Sequence, residues 1–164
     1  MNLDESLVLW LRERWASPLV DPLCVWLSDR WTFSFPLAGW LLLDSARREG
    51  KRGLALAVFL VLAVAFGDQV GNALKRVVHE PRPCSILEVY EEGPGAGARR
   101  ACAVVGNGAV SNHTLNFALA TVLVARSTPW TGWHRALALA TGLVATSRVY
   151  LGRHYPSQVL AGLA

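Results

Sequence analysis

The chain has 164 residues, of which 52% are hydrophobic and only 17% charged, with a formal net charge of +4. Soluble domains carry about 25% charged residues, and here the apolar residues are gathered into runs. This composition is short of the charge that keeps a soluble domain in solution, and it favours a single membrane-embedded domain over residues 1–164.

The N-terminus does not read as a signal peptide, because Asp4 and Glu5 stand where basic residues should. The segment 6–15, SLVLWLRERW, mixes Leu, Val and Trp with Arg12, Glu13 and Arg14, which predicts an amphipathic helix on the membrane surface. Residues 31–43 form the first apolar run, which 19–30 would lengthen at the cost of burying Asp21, Asp29 and Arg30. Arg47, Arg48, Lys51 and Arg52 then make a basic hairpin, cytoplasmic by the positive-inside rule. Residues 54–74 carry only Asp68 as a charge. At about 1.5 Å per residue this run covers the roughly 30 Å hydrocarbon core; a buried helix of a soluble protein is the alternative. Asp68 shares a helical face with Asn72 and Lys75, so a polar network supporting Lys75 is expected.

By this topology residues 76–110 form an outer loop. Cys84 and Cys102 bracket it and are expected to form a disulfide or remain free thiols, since neither has a partner at zinc-like spacing. The glycine-rich stretch 93–97 reads as a turn. Apolar runs follow at 110–125 and 136–151, joined by a connection containing Arg126 and Arg135. The last run, 159–164, is too short to span and suggests a truncated final helix. Tryptophans 10, 15, 26, 31, 130 and 133 near the run ends suit an interfacial belt, whereas Trp40 could be a core residue. The expected fold is an all-α integral membrane helical bundle with an N-terminal interfacial helix, four transmembrane helices and the start of a fifth. One tension remains in this topology. The outer side also holds Lys75, Arg76, Arg82, Arg99, Arg100, Arg148 and Arg153, so the orientation stands only if several of these serve a site.

Three segments carry chemistry: KRVVHEPRP at 75–83, Ser111-Asn112-His113, and SRVYLGRHYPSQ at 147–158. All three fall at the outer boundary. Lys75, Arg82 and Arg148 are cationic donors suited to phosphate oxygens. Singly, each could merely reach toward headgroups. His113 and His154 beside them change the balance, because one imidazole can attack while the other donates a proton.

Lys75-x6-Arg82-Pro83, Ser-x-His at 111–113 and Ser147-Arg148-x5-His154 resemble the three-part signature of the type 2 phosphatidic acid phosphatase superfamily, over about residues 17–164. The resemblance implies that His154 is the nucleophile, forming a phosphohistidine, and that His113 protonates the leaving group. It assigns Lys75, Arg82, Ser111, Asn112 and Arg148 to phosphate binding, with no metal and no cofactor. Three positions depart from the family pattern: Val110 replaces a proline, Asn112 a glycine, and Gln158 an aspartate that orients the nucleophilic ring. An amide can still accept the ring N–H but supplies no charge, so weak turnover is expected, with Gln158→Asp raising it. Glu80 and His79 read as loop residues.

The chain looks most like bacterial undecaprenyl-pyrophosphate phosphatases. It is then expected in the cytoplasmic membrane with its site facing outward. Its partners would be a lipid phosphate and the bilayer, with no nucleic acid. Phosphatidylglycerophosphate, phosphatidic acid and lipid A phosphates are alternative substrates. Phosphotransfer to another acceptor, or lipid-phosphate binding with little turnover, are alternative activities.

Overall fold

The structure, a computed structural model, describes residues 1–87 and 107–164. Every regular element among them is helical: α1 (Leu3–Trp15), α2 (Val20–Ser28), a π-helical turn (Arg30–Ser34) running into α3 (Phe35–Glu49), α4 (Lys51–Val77), the short α5 (Pro83–Ile86), α6 (Asn112–Ser127), α7 (Thr131–Tyr150) and α8 (Pro156–Leu163).

The first apolar run does not extend backward as one rod. Asp29 takes an extended conformation (φ −89°, ψ 122°), and its carboxylate accepts from the Trp31 N–H at 2.9 Å and the Thr32 hydroxyl at 3.1 Å. That is an N-cap, so α2 ends and a new helix begins. Pro36 has no N–H to offer the turn before it, and there the helix widens, the Phe35 N–H reaching back to the Arg30 carbonyl. At the other end of α3 one residue makes the reversal: Gly50, at φ +54°, occupies the left-handed region that side chains disfavour. Gly53 then lies against the Ser45 carbonyl with no room for a Cβ, and the Ser45 hydroxyl donates to the Gly53 carbonyl at 3.1 Å.

The 27-residue α4 is about 40 Å long. Only 22% of its apolar window is buried, which removes the soluble-core alternative. Leu54, Val58, Phe59, Val61, Leu62 and Phe66 all face outward, and an exposed apolar surface of this kind belongs in hydrocarbon. Among the described residues α4 is the one helix long and apolar enough to cross a bilayer. The 15-residue α3 and 16-residue α6 rise only about 23 and 24 Å, so the lengths of the individual helices do not establish the expected four spans.

In the bundle α3 packs on α4, α4 on α6, α6 on α7 and α7 on α2, while α8 folds back against α6. Leu41, Leu60, Val124 and Leu137 fill one end of the bundle, and Phe117, Ala140 and Val144 form the next layer. Val8 of α1 is fully buried against Ala145, Val149, Tyr155 and Val159. Helix α1 is therefore docked on α7 and α8, with Trp10 and Trp15 left exposed as an interfacial helix requires. Trp40 is exposed, edge-on to Trp133, and is not a core residue.

Candidate active site

The three chemistry-bearing segments meet at the end of α4 farthest from the basic hairpin. Lys75 lies in the last turn of α4 and donates to Asn112 Oδ1 at 2.7 Å. The Asn112 amide in turn donates to Asp68 Oδ1 (2.8 Å) and Asn72 Oδ1 (2.9 Å), and Asn72 donates to Asp68 Oδ2 (3.0 Å). The expected network around Asp68 thus forms, with Asn112 at its centre. Gly71 makes the space for it, because a Cβ there would collide with the Asn112 side-chain oxygen. Asn112 therefore holds Lys75 through its side-chain oxygen, which is a different task from contacting phosphate.

Ser111 is likewise engaged, as an acceptor. It caps α6, accepting from the Thr114 N–H (3.4 Å) and the Thr114 hydroxyl (3.0 Å), and is fully buried. Its own N–H donates to the Gln158 carbonyl at 3.2 Å, tying α6 to α8. The cap aims the positive end of α6, with His113 in its first turn, toward the site.

Arg148 and His154 come from the end of α7. Arg148 is buried at 4% exposure, and its carbonyl accepts the N–H groups of Arg153 (3.0 Å) and His154 (3.2 Å). Gly152, at φ +64°, allows that fold-back, and its carbonyl accepts the Cys84 N–H at 2.9 Å, bringing the Arg82 segment alongside. Arg82 Nε is buried with no hydrogen-bond partner among the described residues. Burial and the neighbouring Arg153 charge hold its guanidinium below its ordinary pKa. The charges of Arg148 and Lys75 act on both histidines, with Arg82 adding to the field at His154 and Arg153 to that at His113.

His154 itself is 2% exposed, and its Nδ1 lies 3.0 Å from the Gly108 carbonyl oxygen. A carbonyl only accepts, so Nδ1 carries the proton and Nε2 keeps its lone pair. Burial, and then the charges of Arg148 and Arg82, push its pKa well below the ordinary histidine value; the Gly108 carbonyl opposes this less strongly. The ring is a neutral imidazole in one tautomer, facing cations. It is arranged to give electrons to an anionic centre that the cations would hold.

The orienting role expected of Gln158 is corrected by this geometry. Its Oε1 accepts the Tyr155 N–H (3.1 Å), and its Nε2 donates to Glu80 Oε2 (3.1 Å) and the Pro81 carbonyl (3.1 Å). The amide closes the first turn of α8, and the hydrogen bond to the His154 ring comes from a backbone carbonyl instead. Gly108 carries no sequence signal for that task. Asn107 is a second residue that the motifs do not show. Its amide donates to the Lys75 carbonyl, and its oxygen accepts the Glu80 and Ala109 N–H groups, each at 3.2 Å. Cys84 is disulfide-bonded and Cys24 is a free thiol. Cys102, with the rest of the loop 88–106, lies outside the described residues. No group of three metal-ligating side chains occurs among the described residues.

The class the fold defines is thus a helical bundle that gathers two histidines and three cations at one end of its membrane-length helix. The chain belongs to the PAP2 superfamily, whose model matches residues 53–164. The structure is similar to LpxE of Aquifex aeolicus, with a TM-score of 0.73, 20% identity and coverage of 99% of this chain and 89% of that one. It is also similar to the PAP2-type phosphatidylglycerolphosphate phosphatase of Bacillus subtilis (TM-score 0.68, 17% identity, 98% and 77% coverage). No curated protein matches the chain.

Proposed function

We propose that the chain is a metal-independent lipid phosphatase working through a phosphohistidine. The observation that carries this is His154: buried, neutral, fixed at Nδ1 by the Gly108 carbonyl, and within the field of Arg148, Arg82 and Lys75. In the first step Nε2 bonds to phosphorus while the bond to the leaving oxygen breaks, and that oxygen takes its electron pair and a proton from His113, which takes up that proton from solvent once the negative charge of the bound phosphate offsets Arg148 and Lys75. In the second step water attacks phosphorus, gives its proton to His113 and releases His154 with inorganic phosphate. Lys75, Arg82 and Arg148 hold the equatorial oxygens throughout and stabilise the charge of the transition state. Because the ring takes its hydrogen bond from the main chain, an amide at position 158 gives no ground for slow turnover. The reading as a mere lipid-phosphate binder is therefore the weaker one.

The preferred substrate is undecaprenyl pyrophosphate, its headgroup at the histidines on the outer face of the cytoplasmic membrane and its chain along the bundle. Similarity to a phosphatidylglycerolphosphate phosphatase supports a second substrate, phosphatidylglycerophosphate. The test is phosphate release in detergent from undecaprenyl pyrophosphate, phosphatidylglycerophosphate, phosphatidic acid and lipid A, beside His154→Ala. Fastest release from the diphosphate, lost in His154→Ala and unchanged by chelator, is the expected result. Release that survives His154→Ala overturns the mechanism.

A further inference from the structure

The Gly108 carbonyl can orient His154 only if its own peptide is held, and the holding groups converge on Glu80. The Glu80 carbonyl accepts the Gly108 N–H at 2.7 Å. The Glu80 carboxylate accepts from Gln158 Nε2 at 3.1 Å, and the Gln158 amide lies flat against Gly108, where a Cβ would come within 2.6 Å of its oxygen and 2.8 Å of its nitrogen. The Glu80 N–H is fixed by Asn107, the residue that also holds the end of α4. One residue therefore grips Gly108 twice, once through its backbone and once through the amide that walls it in.

An amide has two faces, and here each is specified. Tyr155 N–H requires an oxygen, while Glu80 and the Pro81 carbonyl require a donor. Gln158 satisfies all three and is 2% exposed, so a wrong rotamer or a carboxylate would leave buried groups unpaired. Aspartate or glutamate at 158 would face the Glu80 carboxylate, like charge to like charge.

We propose that Glu80 and Gln158 act as one positioning pair, in which the carboxylate at 80 demands the amide at 158 and together they set the Gly108 carbonyl on the nucleophile. The pair rests on His154 being the nucleophile, and neither member touches the substrate. It explains an amide at a position where the family pattern carries a carboxylate: the carboxylate is supplied from the other side of the contact.

Orthovanadate tests the pair without needing a known lipid, because its five-coordinate form bonds to a correctly aimed imidazole nitrogen, whereas inorganic phosphate needs only the cations. Affinities for both are measured by titration calorimetry on the full chain in detergent, with tryptophan fluorescence melts alongside. Glu80→Gln and Gln158→Glu are each expected to weaken orthovanadate about ten-fold or more while leaving phosphate within two-fold, since a misplacement near 1 Å costs up to about 10²-fold. The swap Glu80→Gln with Gln158→Glu restores one donor facing one carboxylate but leaves the Pro81 carbonyl without its donor, so it is expected to bind orthovanadate more tightly than either single variant and less tightly than the parent chain. Unchanged orthovanadate binding in both single variants overturns the pair, as does a folded swap no better than the singles. Should the singles melt early, the swap alone decides. His154→Ala that binds orthovanadate as tightly as the parent chain would instead overturn the nucleophile assignment, a separate failure.

Discussion

The two ends of α4 use positive charge in opposite ways. At the hairpin end Arg47, Arg48, Lys51 and Arg52 are exposed, and the one close ion pair there, Arg48 with Asp44 at 2.6 Å, sits at the surface beside Trp133, whose indole N–H also donates to Asp44. At the site end Lys75 is directed onto Asn112, Arg148 is buried, and Arg82 has its Nε sealed from solvent. Neither Lys75 nor Arg82 has a carboxylate within salt-bridge distance among the described residues. Exposed cations are free to read the membrane potential and headgroups, whereas under the proposed function the inward cations serve the phosphate. Removing Lys75, Arg82 and Arg148 from the count of orienting charges eases the conflict with the positive-inside rule and supports the proposed outward site.

Breaking the site end should have the larger effects. Arg148→Ala removes a buried cation that the proposed mechanism sets against transition-state charge, and it is expected to lower kcat by about 10²–10³-fold, measured as phosphate release. Asn112→Ala frees Lys75 and leaves Asp68 with Asn72 alone as its side-chain partner; the loss of a hydrogen bond to a buried partner, about 1–3 kcal/mol, corresponds to about ten-fold or more in kcat/KM. Gly71→Ala should behave similarly, with a lower melting temperature, because its Cβ displaces the same side chain.

The lowered pKa of His154 gives a pH signature. Free histidine titrates near 6.5, but the folded ring stays neutral below that value, so the acid limb of kcat/KM should lie below it. The unfolded chain binds that proton first, so His154 makes folding less favourable as pH falls through 6.5, an effect readable in detergent melts and absent in His154→Ala. The smallest effect on chemistry is expected from the hairpin. Replacing Arg47, Arg48, Lys51 and Arg52 together by glutamine should leave release in detergent within about two-fold, since surface charges of this kind carry little coupling. The same variant should scramble orientation in cells, read by impermeant maleimide labelling of a cysteine at the exposed Ser127. Unchanged orientation would undo the contrast between the two ends.

Much of this was legible in residue patterns, and the exceptions have physical causes. Long apolar runs reported α4, and the spacing of Asp68, Asn72 and Lys75 reported a helical face, because both depend only on local periodicity. The three motif segments placed His113, His154, Lys75, Arg82 and Arg148 in one region. Side-chain duties inside that region were not legible. Asn112 and Ser111 sit at motif positions yet are taken up by Lys75 and by the α6 cap, and Gln158 is turned toward Glu80. The Ser111 cap spans only three residues, but the Asn112 and Gln158 assignments depend on contacts 37 residues apart for Lys75 with Asn112 and 78 apart for Glu80 with Gln158, which no local pattern encodes. The π-helical turn was missed for a related reason: Pro36 warns of a defect without saying how the backbone accommodates it.

The contact between His154 and the Gly108 carbonyl has one further consequence. A carboxylate beside the ring would take up a proton of its own in acid, near pH 4, and would then compete as a donor for the same nitrogen. A peptide carbonyl has no such second state across the whole accessible range. The acceptor that orients His154 is thus one with no titration of its own, and a side-chain replacement can shift it, through Glu80 or Gln158, but cannot remove it.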